Sequence, residues 1–172
     1  MTSRQLIFFR HGKSDWQAPS GLDRDRPLAP RGVVAAQGMG KLLTTLEAQP
    51  DHAITSPAVR AHSTLELARE AGHWSCSVAV SQDLYEASPE QVLGVIRGQS
   101  DRHQRLLLVG HQPTWSDTIS WLMGGGQVEV PTATLVCLDL QTSDWRQVAP
   151  GQAILLWLLP PKLLRPLLDR LP

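Results

Sequence analysis

Short apolar runs alternate with segments of helical period along most of the 172 residues, and this alternation most restricts the fold. The clearest run is 105–109, almost wholly apolar and too short for a helix. Gly110-His111-Gln112-Pro113 follows it, then helix-forming sequence over 114–123, broken by Gly124-Gly125-Gly126. Further strands are expected at 5–9, 52–55, 77–80, 133–140 and 153–159. Helices are expected at 31–47, at 58–71 with Gly72 as a C′ glycine, and from Ser88 as N-cap with Pro89 at N1 to about Arg97. Such alternation predicts an α/β fold: a three-layer α/β/α sandwich with a mainly parallel central sheet. No linker, internal repeat or low-complexity segment divides the chain, so residues 1–172 are expected to form one domain. The leucine-rich tail, 160–172, has the spacing of a short amphipathic helix packed on the body.

Composition narrows the function classes. Formal net charge is zero, which argues against nucleic acid or an acidic membrane as partner. Cys76 and Cys137 form no C-x-x-C pair and have no zinc-like His spacing nearby, so two free thiols in a reducing cytoplasm are expected. The apolar stretch 6–9 is too short for a signal peptide and 153–159 too short to span a bilayer, so no membrane association is expected.

In α/β sheets, sites sit at the carboxyl ends of strands. Three candidate loops fall there. Arg10-His11-Gly12 follows the first strand. A neutral imidazole can attack phosphorus, an adjacent guanidinium can grip phosphate oxygens, and glycine lets backbone approach a ligand. Ser56-Pro57-Ala58-Val59-Arg60-Ala61 follows the second strand, with Ser56 as helix cap and Arg60 in the first helical turn, an anion-binding arrangement. His111 follows the 105–109 strand and can stabilise transition-state charge. Glu86, in Leu84-Tyr85-Glu86-Ala87-Ser88-Pro89, is the candidate proton donor. Lys13, Ser14 and Arg26 are rim candidates, and Trp16 and Trp115 follow the two histidine loops as possible walls. Taken singly, each residue also fits a structural or solvated role. A metal site at His11 and His111 lacks a third ligand at suitable spacing, so no metal or cofactor is expected.

Together the three motifs resemble the histidine phosphatase superfamily, with its phosphoglycerate-mutase-like fold. Asp25-Arg26-Pro27-Leu28, the Tyr85-Glu86 segment and Val130-Pro131-Thr132-Ala133 narrow the likeness to the small SixA-type phosphohistidine phosphatases. The resemblance covers about 6–157 and not the tail. It implies His11 as the phosphorylated nucleophile, with Arg10, Arg60 and His111, beside Gly12, holding the phosphoryl group. Glu86 stands where many relatives carry the acid, in a segment that is irregular among the small SixA-like proteins. Trp16-Gln17 stands where phosphoglycerate mutases carry an Asn, and this chain has no Asn at all. The mutases' long insertions are missing too. The expected function is a metal-independent phosphatase and the expected partner a phosphohistidine protein, with a monomeric enzyme. The alternatives are a small phosphate ester as substrate, or a non-catalytic phosphate-binding module.

Overall fold

The apolar runs form the centre of a six-stranded sheet in a computed structural model that describes residues 4–19 and 21–168. The strands are β1 (Arg4–Arg10), β2 (His52–Thr55), β3 (Ser77–Val80), β4 (Arg105–Gly110), β5 (Leu135–Leu140) and β6 (Ala153–Leu159). Their order is β3-β2-β4-β1-β5-β6. The first four are mutually parallel; β5 runs antiparallel to β1, and β6 antiparallel to β5. The helices are α1 (Pro30–Thr45), α2 (Val59–Ala71), α3 (Pro89–Arg97), α4 (Thr114–Met123) and α5 (Pro161–Leu168).

Side chains alternate across a strand, so one apolar run feeds two cores. Leu6, Phe8, Leu106 and Leu108 pack on one face with Val92, Ile96, Trp115 and Ile119 of α3 and α4. Ile7, Phe9, Leu107 and Val109 pack on the other with Met39, Leu43, Leu65 and Ala68 of α1 and α2. Each of these side chains is fully buried, a contribution of roughly 1.5–3 kcal/mol for a large aliphatic or aromatic group. The three-layer sandwich expected from the alternation is therefore present.

Local signals act as expected at α3, where Ser88 and Gln91 form a reciprocal capping box ahead of Pro89. Gly72 differs from expectation. It is right-handed, and the left-handed residue is His73, at φ 54°. Gly72 is needed for closeness: a Cβ there would lie 2.6 Å from the Gly40 carbonyl oxygen. β5 begins at Leu135 because Ala133 turns left-handed, at φ 57°, to donate its N–H to the His11 carbonyl. The tail does form a helix, α5, which packs on α1 with Leu164 against the core. Leu171, expected on the same face, lies outside the described residues. Among the described residues, no helix is long and apolar enough to cross a membrane.

Candidate functional site

The parallel register brings three strand ends together. His11 N–H donates to the Gly110 carbonyl at 3.1 Å, and Ser56 N–H donates to the Val109 carbonyl at 2.9 Å. Because β5 is antiparallel, its beginning joins them: Arg10 N–H donates to the Thr134 carbonyl at 3.1 Å. A cavity of about 270 Å³ opens over this junction. Of the expected residues, Arg10, His11, Lys13, Ser14, Arg26, Arg60 and His111 line it, with Trp16, Gln112 and Thr132 completing the wall.

His11 is nearly enclosed, at 8% exposure. Its Nδ1 lies 2.7 Å from the Gly12 carbonyl oxygen. A carbonyl only accepts, so Nδ1 carries the proton and Nε2 keeps its lone pair. Burial, then the charges of Arg60, Arg10 and Arg26, push the imidazole pKa down to about 4, against the Gly12 hydrogen bond that raises it. At neutral pH the ring is an uncharged base beside three guanidinium groups.

Those guanidinium groups are held from behind. Arg10 Nη1 donates to the Val130 carbonyl at 2.8 Å. Arg60 donates through Nη1 to the Asp23 carbonyl at 2.7 Å and through Nη2 to Asp23 Oδ2 at 2.8 Å. Arg26 Nη2 donates to Asp23 Oδ1 at 2.6 Å. Partial burial raises the Asp23 carboxyl, but Arg60 and Arg26, with the Tyr85 hydroxyl at 3.3 Å, hold it below its ordinary range. Arg10 Nε, Arg60 Nε, and Arg26 Nε and Nη1 are buried with no partner among the described residues. Buried donors without partners are costly, and the three guanidinium groups line a cavity whose natural counter-charge is an anion.

His111 stands beside His11, with ring centroids 5.1 Å apart. Its Nε2 lies 2.8 Å from Ser56 Oγ, and its buried Nδ1 has no partner among the described residues. Burial, then His11 and Arg60, lower its pKa to about 3. Ser56 is thus a prop for His111. The N-cap position of α2 belongs to Ala58, whose N–H reaches Ser56 Oγ at 3.3 Å.

Gly12 does not line the cavity. Its N–H donates to Thr64 Oγ1 at 2.9 Å, and Thr64 in turn donates to the Arg60 carbonyl at 2.6 Å. The close approach that its missing Cβ permits is to the Gly32 carbonyl, 2.7 Å from where a Cβ would stand. Glu86 is exposed, left-handed at φ 51°, and outside the cavity lining. Trp115 is core, bonded through Nε1 to the Phe9 carbonyl, whereas Trp16 is on the wall. Sequence reading did not single out Asp23, Tyr85 or Thr64. The three-residue spacing from Asp23 to Arg26 is the one local signal that pointed to the carboxylate. Among the described residues no cluster of three or more His, Cys, Asp or Glu is arranged to hold a metal ion.

A larger groove of about 940 Å³ continues from the cavity between α1 and α5, sharing Arg10, Lys13 and Thr132 with it. Its walls are mostly apolar, including Val34, Pro131 and Leu163, and Arg31 and Lys162 stand among them with one acid, Glu129.

Known proteins resemble this chain in sequence and in fold. The model of the histidine phosphatase superfamily (branch 1) matches residues 6–105. An uncharacterized protein of Mycobacterium tuberculosis is 32% identical over 158 residues, spanning 85% of this chain and 95% of the relative. A crystal structure assigned as the phosphohistidine phosphatase SixA of Agrobacterium tumefaciens is 27% identical, with a TM-score of 0.78, over 92% of this chain and 98% of that one. The protein histidine phosphatase SixA complexed with tungstate has a TM-score of 0.80 at 22% identity, over 93% of this chain and 99% of that one.

Proposed function

The chain belongs to the histidine phosphatase superfamily and is a phosphatase, and from that premise we propose that it hydrolyses phosphohistidine on a protein through a phospho-His11 intermediate. The observation that carries this reading is the His11 tautomer: Gly12 holds the proton on Nδ1 and leaves Nε2 bare beside Arg10, Arg26 and Arg60.

A phosphoryl group enters with its oxygens toward the guanidinium groups of Arg10, Arg26 and Arg60, which line the cavity. The Nε2 lone pair attacks phosphorus, the bond to the leaving nitrogen breaks, and its electron pair stays on the departing ring, whose other nitrogen already carries a proton, so that a neutral imidazole leaves. His11 then carries phosphorus on Nε2 and a proton on Nδ1, and the Gly12 carbonyl steadies that positive ring. Water attacks next: the phosphorus–Nε2 bond breaks, its electrons return to His11, and the water proton is released with inorganic phosphate. A nitrogen of pKa about 4 is a good leaving group, which favours this second step. His111, whose Nε2 shares a hydrogen bond with Ser56 Oγ, lines the same cavity and stands where charge builds on the phosphoryl oxygens. The work is mostly positioning and charge stabilisation, as phosphoryl transfer requires.

Two further observations support a protein phosphohistidine. Glu86 is not among the residues that line the cavity, and an imidazole protonated on its other nitrogen leaves without the proton donor that an alkoxide needs. The groove beside the cavity adds room and positive charge for a bulky, acidic partner. Rapid quench of the full-length protein with labelled phosphohistidine substrate tests the mechanism. The expected result is a base-stable, acid-labile phosphoenzyme that disappears in His11→Ala. A phosphoenzyme that persists in that variant, or retained turnover, refutes it.

A further inference from the structure

We propose that Trp16 is the platform on which a flat, aromatic leaving group stacks, which makes this site select ring-bearing phosphoryl donors over ringless ones. The inference rests on the reading above for the position of the phosphoryl group, and it assigns to Trp16 a role in choosing what that group departs from.

Trp16 is 72% exposed, although indole is the largest apolar side chain. It lines the cavity that holds His11, Arg60 and His111. Its ring lies over the Arg26 guanidinium, whose Cζ is 3.4 Å from the ring centroid. Arg26 is itself only 7% exposed and tied to Asp23, so one side of the indole rests on a fixed base. The backbone around Trp16 is fixed too. Ala29 N–H donates to the Lys13 carbonyl at 2.8 Å, Asp15 N–H donates to the Pro27 carbonyl at 2.9 Å, and Ser14 bridges to Leu28. A pinned, rigid and largely uncovered aromatic ring at the mouth of a charged cavity offers area for stacking at little entropic cost.

The chemistry of the neighbours selects the occupant. Three guanidinium groups claim the phosphoryl oxygens, so what projects toward the mouth is the group that phosphorus leaves. A guanidinium under one face draws π density from the indole, which favours stacking with an electron-rich ring. The imidazole of a phosphohistidine is flat, aromatic and gains electrons as its bond to phosphorus breaks. An aliphatic or ringless leaving group gains nothing from the same surface.

The test uses the full-length protein and two matched substrate pairs. One pair is N-phosphohistidine and phosphoramidate; the other is phenyl phosphate and glycerol 3-phosphate. The readout is the ratio of kcat/KM for the ring-bearing over the ringless member. Trp16→Ala should lower that ratio by about tenfold. Trp16→Leu keeps an apolar cover over Arg26 without a flat ring and should lower it equally, while Trp16→Phe should restore most of it. Equal losses on both members of a pair would mean that Trp16 acts only by covering Arg26, and would overturn the proposal. So would an unchanged ratio, or a wild-type protein with no preference for rings. Wild-type activity confined to the ester pair would overturn the phosphohistidine reading instead, with the ester ratio still deciding the role of Trp16.

Discussion

Acidification should destabilise this protein through its two site histidines. His11 falls from the ordinary 6.5 to about 4, and His111 to about 3, chiefly because both rings are buried. Between those values and 6.5 the unfolded chain binds protons that the folded chain refuses, so stability is full above pH 7 and falls as the pH drops. From these values, passing from pH 7 to pH 5 removes about 2 kcal/mol through each ring and about 4 kcal/mol through both. That is a large part of the 5–15 kcal/mol (roughly) that holds a domain together. Urea unfolding of wild type and of the double variant His11→Gln/His111→Gln, at both pH values, isolates the contribution. His52 and every other titrating group are common to both proteins and cancel. Wild type should lose about 4 kcal/mol more than the variant over this range. A difference below about 1 kcal/mol would mean that both rings charge normally in the folded state, and would refute the claim that burial and the guanidinium groups lower the His11 pKa.

Asp23→Asn keeps the shape of the side chain but removes the charge shared by Arg26, Arg60 and Tyr85. Because Asp23 is half exposed, the expected loss is modest, about 1–2 kcal/mol in unfolding free energy. Inorganic phosphate should bind more tightly to that variant, since the guanidinium groups no longer divide their charge with a carboxylate; product-inhibition constants check this. Gly32→Ala places a Cβ 2.2 Å from the Lys13 carbonyl oxygen, where only backbone can yield. It should cost about 3 kcal/mol in urea titrations and depress kcat along with it, because Lys13 adjoins the loop that carries His11.

How far the sequence could be read depended on whether a residue's role was local. The 105–109 run, the Ser88-Pro89 helix start and the Gly124 stop are local signals, and each element formed within two residues of its expected place. His11, Arg60 and His111 were legible because strand ends in a parallel sheet share one rim. Asp23 was hidden in Asp23-Arg24-Asp25-Arg26, whose alternating charge looks like a solvated turn; only the packing of that turn over the start of α2 gives it Arg60. Trp16 and Trp115 were indistinguishable on paper, both following a histidine loop. One is core because Phe9 offers its carbonyl to the indole, the other is rim because it lies over Arg26. Gly72 looked like a helix stop and is a packing contact between helices, which depends on a partner 32 residues away, Gly40.

The reversal of direction at β5 has a consequence for how such an enzyme can diversify. His11, Arg60 and His111, the proposed nucleophile and phosphate-binding residues, hang from the far ends of parallel strands, where any displacement disturbs two cores at once. Thr132 reaches the same cavity from the opposite direction, and Val130 holds Arg10 from behind, both at the threshold of β5 on a connection that follows three glycines and carries no sheet pairing of its own. The part of that connection ahead of Val130 can be lengthened, shortened or rewritten while the strand ends stay put. New substrates can thus be recruited by editing the largely exposed stretch 124–129, while Val130, which holds Arg10, and Ala133, which holds the His11 carbonyl, stay as they are.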